Sequence, residues 1–301
     1  DLGLVPGECL GAVARLRAAH PEVGLIVLGG DADPGTERAV MAAGATRFLL
    51  KRSLGTELMS AVDEVVAGRV KNPEGKRVEQ YARQTSASGL AAVWARDNTR
   101  EALWDAMARK EVYATTGTRL VVRVFGGFDF TAQDLERSDF AEQGYKRGVP
   151  MGGDLKSASA GKSPAFLVHA MRDVDGANID RIQVVKGWLD ASGKTQEKIY
   201  DVAWSGDRKP GANGMLPPVG STVNVKEASY TNSIGAPFLA AYWRDPSFDP
   251  KLRAFYYVRV LEIPTPRWTT FDAKIFGVKL PTDVPTSIQE RAYTSPIWYT
   301  P

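Results

Sequence analysis

The residues best suited to bind a metal ion lie together in one acidic segment. Asp173, Asp175 and Asp180 fall within eight residues around Gly176. Oxygen ligands at alternate positions around a glycine are typical of a calcium-binding loop. The segment lacks the bidentate glutamate that closes an EF-hand, and the same residue types favour a β-hairpin turn, because Asp, Asn and Gly adopt positive φ and form local hydrogen bonds. Two interpretations therefore stay open, a turn and a cation site.

Histidine is scarce, and this limits any metal centre. His20 and His169 are the only histidines, and Cys9 is the only cysteine. Hydrolytic zinc sites usually use two or three imidazoles, and a single cysteine excludes an internal disulfide and a multi-cysteine metal site. His169 lies in an apolar strand pattern, where a packed side chain is the alternative to a ligand. If a metal binds, we expect a divalent ion held by His169 and the three aspartates, and we expect no other cofactor.

Other reactive residue types do not form a recognisable site. The pairs Gly126-Gly127 and Gly152-Gly153 lack the Lys-Ser/Thr that follows the glycines of a phosphate-binding loop, so they indicate tight turns or bulges. Cys9 and His20 would lie roughly 16 Å apart along one helix, too far for a nucleophile and its base. Four tryptophans could offer a surface for sugar or aryl groups, although the large area of this side chain favours the core: Trp188, Trp204, Trp243 and Trp268.

Charge and hydropathy exclude two classes of partner. The 301 residues include 38 Lys and Arg against 35 Asp and Glu, a net charge of +3, without the basic stripe that binds nucleic acid. No run of about 18 apolar residues could cross a membrane, and the first residues have no signal-peptide pattern. We therefore expect a cytoplasmic protein that binds neither nucleic acid nor a membrane.

Composition divides the chain near residue 70. All seven tryptophans and all ten tyrosines follow residue 80, and Phe48 is the only aromatic residue before it. In the first part, hydrophobic spacing predicts helices over 7–19, from Asp33-Pro34 to near Gly44, and from Ser53 onward. Short apolar runs over 25–28 and 48–50 predict strands between them. This order is typical of a parallel α/β layer.

Residues 1–69, from DLGLVPGECLG to SAVDEVVAGR, resemble the second half of a CheY-like response-regulator receiver domain. The resemblance matches Asp1 to the phosphoacceptor aspartate, Lys51 to the lysine after the fifth strand and Phe48 to the switch aromatic. It also implies an acidic pair that holds Mg²⁺ and that would precede Asp1. Without Mg²⁺ only Lys51 would meet the phosphoryl charge, so we expect no phosphorelay activity. The third strand would be an exposed edge, and we expect either a second copy of the chain, by self-association, or the C-terminal domain to cover it.

Residues 70–112 are predicted to contain a linker and one helix. The segment up to residue 88 is polar and includes Pro73 and Gly75, as expected for irregular structure. Asn98-Thr99-Arg100-Glu101 is a capping-box pattern and begins a helix that runs to about residue 110. Its apolar face is expected to be Leu103, Trp104 and Met107.

Residues 113–301 are predicted to form an antiparallel β-sandwich with an extended C-terminal tail. Period-two patterns separated by turn signals predict strands over 120–125, 165–170, 179–189, 197–204, 222–230 and 254–262. The many prolines of 264–301 indicate a wrapping tail. The expected fold is therefore a truncated receiver-like parallel α/β unit, a helix, and an antiparallel β-sandwich with that tail.

From about residue 72 to Pro301 the chain also resembles the bacterial family called domain of unknown function 3604 (DUF3604). The stretches that carry the resemblance include ASGLAAVWARDNTREALWDAMARKEVYATTGTRL, GYKRGVPMGGDL and QERAYTSPIWYTP. The family is similar to the PHP superfamily (polymerase and histidinol phosphatase) of metal-dependent phosphoesterases. This implies an N-terminal metal-binding barrel with an Asp-Leu-His-x-His-Thr strand, and that signature does not occur in the sequence. We therefore interpret the chain as a chimera of two fragments whose activity would need a newly formed site.

Two functions stay open at this point. The first is a metal-dependent hydrolase of small ester or phosphoester substrates, favoured by the parent family and the acidic segment around Asp175. The second is a non-catalytic structural or binding module that self-associates as a dimer, favoured by the scarcity of histidine.

Overall fold

The computed structural model describes residues 6–21, 23–30, 34–50, 61, 87–156, 161–212 and 214–301. The chain divides into two compact units, residues 1–86 and 87–301. Asp1, Lys51 and the helix predicted from Ser53 lie outside the described residues, apart from Ala61 within that helix, and so does the strand edge through which self-association is expected. No helix in the described ranges is long and apolar enough to span a membrane.

The described part of the first unit alternates helix and strand. Its elements are α1 (Pro6–Ala19), β1 (Ile26–Gly29), α2 (Pro34–Ala42) and β2 (Arg47–Leu50). β1 and β2 pair in parallel. Buried side chains from both helical and strand segments form one small cluster: Val13, Val27, Val40 and Ala45. The predicted parallel α/β alternation is confirmed for these residues, and the receiver-like identity of the unit stays a prediction.

The second unit is rich in strands. Its helices are α3 (Arg100–Ala108), α4 (Phe140–Arg147) and α5 (Trp268–Phe276), with a 3₁₀ turn over Ala132–Glu136. The strands are β3 (Leu90–Val93), β4 (Val112–Thr115), β5 (Val121–Gly127), β6 (Val149–Pro150), β7 (Asp154–Lys156), β8 (Ala165–Met171), β9 (Ile179–Leu189), β10 (Thr195–Trp204), β11 (Phe238–Arg244), β12 (Ala254–Glu262), β13 (Thr265–Pro266), β14 (Ser287–Ile288), β15 (Arg291–Thr294) and β16 (Ile297–Thr300).

Most strands of the second unit belong to two sheets. The larger has eight described strands in the order β10-β9-β12-β15-β4-β3, with β16 beside β12 and β7 beside β16. The smaller has the order β11-β8-β5-β6. Neighbours are antiparallel except β16 and β7, which are parallel. β13 and β14 form a separate antiparallel pair. The unit is therefore a mixed α/β structure dominated by antiparallel sheet.

Both sheets contribute side chains to one buried cluster. β12 shows how the sequence directs this, since buried and half-buried residues alternate along it and only one face reaches the cluster. Fully burying one such aliphatic or aromatic side chain stabilises the fold by about 1.5–3 kcal/mol. Phe125 and Leu167, on the other face of the smaller sheet, belong to a second buried cluster with Phe130 and Phe140. The cluster includes Val122, Val124, Phe166 and Val168 of the smaller sheet and Ile182, Val184, Tyr256 and Val258 of the larger.

Helix α3 differs from its prediction in its buried face. Thr99 is the N-cap and its Oγ1 accepts a hydrogen bond from the Ala102 amide at 3.3 Å. Trp104 and Met107 are 68% and 51% exposed, and Ala106 is the buried residue of the helix. The predicted apolar face is therefore wrong for Trp104 and Met107, which α3 exposes to solvent, whereas Leu103 is half-buried.

Two predictions for the later part of the chain are also wrong. Residues 222–230 form turns with one isolated bridge between Asn224 and Ser229 rather than a strand. Residues 264–301 are not an extended tail, since they contain α5, β14, β15 and β16, and both β15 and β16 pair with β12. Pro281, Pro285 and Pro296 lie between these elements, so they delimit short segments instead of preventing them.

Candidate functional site

A cleft of about 1270 Å³ lies on the second unit, lined by residues of α3, β5 and α4 and of the segments that flank β3 and β4. Four of its lining residues contact one another: Trp94, Glu111, Arg123 and Tyr145. Acidic and basic side chains both line the rest of the cleft, including Asp97, Asp105 and Lys146. A concave site with converging polar groups is the default place to look for ligand binding or catalysis.

Arg123 is the central cation of this cleft. Its neighbours on β5, Val122 and Val124, point into the core, so Arg123 lies on the opposite face of the strand. The guanidinium carbon is 4.2 Å from the centroid of the Trp94 ring, and Nη2 donates a hydrogen bond to the Tyr145 hydroxyl at 3.1 Å. The buried Nε has no hydrogen-bond partner among the described residues. Such a donor costs stability unless a ligand accepts from it.

Tyr145 and Glu111 are joined by a hydrogen bond in the cleft. The Tyr145 hydroxyl donates a hydrogen bond to Oε1 of Glu111, a residue that is only 2% exposed. Burial, and then the bond to Glu111, raise the pKa of Tyr145, so the phenol stays protonated at neutral pH. Arg123, Tyr145 and Glu111 therefore make a continuous chain from a cationic donor through a hydroxyl to a carboxylate.

The end of α3 places Glu111 at the cleft. The amides of Glu111 and Lys110 donate to the carbonyls of Ala106 and Met107 at 3.0 and 2.9 Å, the paired bonds of a Schellman motif. Lys110 occupies the left-handed position of that motif, with φ of 60°, where glycine is usual. A side chain there costs about 1–2 kcal/mol. Gly152 packs directly on this turn, since a Cβ on it would lie 2.2 Å from the Lys110 carbonyl oxygen.

A second group of charged residues surrounds Glu262 at the end of β12. Glu262 is 2% exposed, and its Oε1 accepts a hydrogen bond from Thr118 Oγ1 at 2.7 Å. The pKa of Glu262 is raised from 4.5 to about 7. Burial is the main cause, and the negative charges of Glu290 and Asp173 act in the same direction. Glu290 itself accepts a hydrogen bond from Thr116 Oγ1. A carboxyl group with such a pKa is able to donate a proton near neutral pH.

The acidic segment, for which the sequence leaves both a turn and a cation site open, forms a turn. Asp173 accepts hydrogen bonds from the backbone amides of Arg119 and Asp175 at 2.8 and 3.1 Å. Its carbonyl accepts from the Gly176 amide at 3.0 Å, which closes the turn. Asp175 is exposed at the tip. The side chain of Asp173 is thus committed to holding backbone.

Asp180 and His169 lie in different surroundings. Asp180 is fully buried and accepts hydrogen bonds from Arg208 at 2.6 Å, Arg181 at 3.0 Å and Gln289 at 3.1 Å. The His169 ring stacks on Phe140 at 3.8 Å, and its Nε2 lies 3.0 Å from the Leu135 carbonyl oxygen. Burial lowers the pKa of His169, so the ring is neutral.

The four predicted metal ligands are therefore not gathered at one point. Across the residues that the structure describes, no group of three or more His, Cys, Asp or Glu side chains is arranged to hold a metal ion. The four tryptophans considered as a ligand surface are half-buried, and Trp188 and Trp243 pack against the main core.

The four cleft residues give little signal in the sequence. Trp94, Glu111 and Tyr145 all lie in the stretches that carry the DUF3604 resemblance, but they are separated along the chain and match no short motif. Arg123 gave one further signal, because it interrupts the apolar run Val121-Val122-Arg123-Val124-Phe125 with a charge. Only the pairing of strands and helices brings the four together.

The chain matches the family model described as "Protein of unknown function (DUF3604)" over residues 39–301. It therefore belongs to this family, and that part of the resemblance is confirmed. The match begins well before residue 72, so it includes much of the segment that resembles a receiver domain. The receiver resemblance and the relationship to the PHP superfamily stay predictions. No curated protein and no solved structure matches the chain.

Proposed function

We propose that this DUF3604 protein hydrolyses small anionic esters, phosphoesters among them, in the cleft of Trp94, Glu111, Arg123 and Tyr145. The observation that carries the proposal is the guanidinium of Arg123, which lies on the Trp94 ring with Nε unpaired beside the hydrogen-bonded Tyr145 and Glu111. Arginine binds phosphate and carboxylate oxygens through paired N–H groups, and the ring on one side fixes its plane. Carboxylates as well as basic side chains line the cleft, so the lining as a whole does not select anions. In this proposal the selection of an anionic substrate comes from Arg123 itself.

The proposed reaction uses the hydrogen-bonded chain as a proton relay. Arg123 holds the anionic group of the substrate, and water adds to the phosphorus or carbonyl carbon. The bond to the leaving oxygen breaks, Glu111 takes the proton of the water, and Tyr145 gives its proton to the leaving alkoxide. The proton on Glu111 then returns to Tyr145 along their hydrogen bond. Proton transfers of this kind typically contribute 10²–10⁴-fold to a rate, about 3–5 kcal/mol.

The divalent cation expected from the sequence is a separate part of the proposal. His169, Asp173 and Asp180 are engaged in unrelated hydrogen bonds and do not favour a shared site. Asp97 and Asp105 line the same cleft as Arg123. Carboxylate oxygens are ligands that Mg²⁺ uses together with substrate phosphate, so a cation would enter with the substrate.

The test is an initial-rate assay of the full chain on 4-nitrophenyl phosphate, bis(4-nitrophenyl) phosphate, 4-nitrophenyl acetate and glycerol 3-phosphate. Each is run with Mg²⁺, Mn²⁺ or Zn²⁺ and with EDTA. Arg123→Lys should raise KM for the phosphoesters about tenfold or more, since it removes the paired N–H donors, and should change the neutral acetate little. Glu111→Gln should lower kcat by about 100-fold on each ester. Tyr145→Phe should lower kcat by about 100-fold on glycerol 3-phosphate, whose leaving alkoxide needs a proton, and by less on the nitrophenyl esters, whose leaving phenolate does not.

The matched controls make the same two types of substitution, arginine to lysine and tyrosine to phenylalanine, at residues outside the cleft. Arg137→Lys changes an exposed arginine paired with Asp139, and Tyr257→Phe removes a hydroxyl on the outer face of β12. Both should leave kcat and KM unchanged. Turnover of glycerol 3-phosphate that survives Tyr145→Phe undiminished, or turnover of any ester that so survives Glu111→Gln, would refute the relay, and equal loss on all three nitrophenyl esters in Arg123→Lys would refute anion selection.

The alternative function is a non-catalytic binding module. It is favoured by the absence, among the described residues, of a side-chain group able to hold a metal ion. Under this alternative, inorganic phosphate would bind at Arg123 without turnover of any ester. Phosphate binding by calorimetry that is lost in Arg123→Lys, together with no turnover of any ester by the wild type, would support the module; turnover of an ester would support the hydrolase.

The arrangement of the two large sheets, the origin of the first unit and self-association are also proposals. We infer that the two large sheets face each other as a β-sandwich, which their shared buried cluster supports. We also keep the receiver-like origin of the first unit and self-association as proposals. Light scattering of the full chain over a range of concentrations tests self-association, and a strictly monomeric chain would contradict it.

A further inference from the structure

A second cleft, of about 590 Å³, lies on the outer face of the larger sheet. Its centre is a row of residues that face one another across four neighbouring strands. Trp298 of β16 is opposite Phe255 of β12, Phe255 is opposite Gly187 of β9, and Gly187 is opposite Glu197 of β10. Trp298 is 43% exposed although it sits in a regular strand. The row therefore presents aromatic surface to solvent at a concave place.

Gly187 gives this cleft its shape. A Cβ built on Gly187 would lie 2.3 Å from the Phe255 ring, so only glycine lets the ring lie over the neighbouring strand. The Phe255 and Trp298 rings are 5.2 Å apart between centroids and inclined by 49°. Both rings line the cleft, and we call the part of it that they line the trough.

Polar side chains stand along the edge of the trough. Glu197, Arg253, Thr195 and Thr300 line it, and all four are exposed. The lining charges balance, with one carboxylate from Glu197 and one guanidinium from Arg253. A ligand of this cleft therefore needs an apolar face for the rings, hydroxyl-type donors and acceptors for the edge, and no net charge.

We propose that this cleft binds the neutral pyranose rings of an oligosaccharide. A pyranose has an apolar C–H face that packs on aromatic rings and a periphery of hydroxyl groups that both donate and accept hydrogen bonds. The volume of the cleft falls in the range of small-ligand sites. Nucleotides and other anionic ligands would meet the carboxylate of Glu197 without a surplus of positive charge. This site is independent of the proposed hydrolase cleft, since the two share no lining residue.

The experiment is a titration of the full chain with neutral hexasaccharides of glucose, mannose and xylose, in which calorimetry measures the binding. At least one should bind with Kd between about 1 µM and 1 mM. Trp298→Ala should weaken that binding about tenfold or more, because an aromatic contact of this kind contributes about that factor. Trp104→Ala, which removes a more exposed tryptophan outside the cleft, should leave it unchanged.

Further arms keep the result decisive. Glu197→Gln tests the edge of the trough without touching the aromatic rings and should also weaken binding, and circular dichroism verifies that each variant is folded. Arg123→Lys should bind the sugar as the wild type does, which separates this site from the hydrolase cleft. No binding tighter than about 1 mM would overturn the proposal. So would unchanged affinity in Trp298→Ala, or a concentration-dependent dimer that this variant abolishes, because a second copy of the chain would then occupy the face.

Discussion

Replacing Glu262 by glutamine should stabilise the second unit at neutral and alkaline pH and have little effect in acid. Glu262 is 2% exposed, and burial raises its pKa from 4.5 to about 7. The folded state therefore favours the protonated acid, whereas the unfolded chain ionises at its ordinary pKa. The cost of this group is absent below pH 4.5, grows between pH 4.5 and 7, and is constant above pH 7.

The magnitude follows from the same pKa values. Since each pKa unit corresponds to about 1.4 kcal/mol, raising the pKa of Glu262 from 4.5 to about 7 costs roughly 3 kcal/mol of unfolding free energy above pH 7. Glutamine keeps an oxygen that accepts from Thr118 Oγ1, so the native hydrogen bond survives. Glu262→Gln should therefore gain up to about 3 kcal/mol over wild type at pH 8 and close to nothing at pH 4.5.

Urea unfolding at pH 4.5, 6 and 8 measures this difference. All seven tryptophans lie between residues 94 and 298, so their fluorescence reports on the second unit alone. Comparing variant with wild type at each pH cancels the titration of the other carboxylates. Glu136→Gln, an exposed glutamate, serves as the matched control and should show no pH-dependent gain.

Two further results would test whether Glu262 is held in its protonated form. Glu290→Gln removes one of the charges that raise the pKa of Glu262, so its unfolding free energy should depend less on pH between 4.5 and 7 than that of wild type. A Glu262→Gln variant whose advantage over wild type is the same at pH 4.5 and 8, or negative at pH 8, would show that the carboxylate is not held in its protonated form.

The remaining predictions concern backbone strain and a buried ion pair. Lys110→Gly should raise the unfolding free energy by about 1 kcal/mol, because Lys110 has a φ of 60°, and thermal unfolding compared with exposed Lys251→Gly measures the gain. Lys186→Met should cost about 3–5 kcal/mol, because it leaves Asp245 buried without its partner at 2.6 Å. Adding Asp245→Asn should recover part of that loss in urea unfolding, and a double variant no more stable than Lys186→Met would contradict this account.

The predictable parts of the fold were those with long, local patterns. β9 and β12 have the bounds that alternation predicted, Ile179–Leu189 and Ala254–Glu262, because each strand is long and its period is read within one segment. β15 and β16 have four residues each, and their strand character comes from pairing with β12. Such pairing is a non-local property, so prolines between them suggested a tail instead.

The candidate site was less predictable than the fold for the same reason. The acidic segment around Asp175 attracted a metal interpretation by composition, although Asp173 uses its oxygens to hold the amides of its own turn and of Arg119. Trp104 and Met107 are exposed, so an apolar stripe on a helix shows only which side chains could be buried. Which of them are buried depends on how the neighbouring strands pack against the helix. Cleft residues such as Arg123 can be identified only from their contacts in the folded structure.

Three local departures from folding rules lie along or against one short stretch of the second unit. Lys110 adopts a left-handed conformation, Arg123 has an unpaired buried Nε, and the loop between them supplies Thr118 to the buried carboxyl of Glu262. Each departure costs stability, and natural proteins concentrate such costs where function requires them. If residues 110–123 serve the proposed hydrolase cleft, the stabilising changes Lys110→Gly and Glu262→Gln should gain unfolding free energy and lose turnover together. Gains in stability with full turnover in both variants would instead separate the strain from the chemistry.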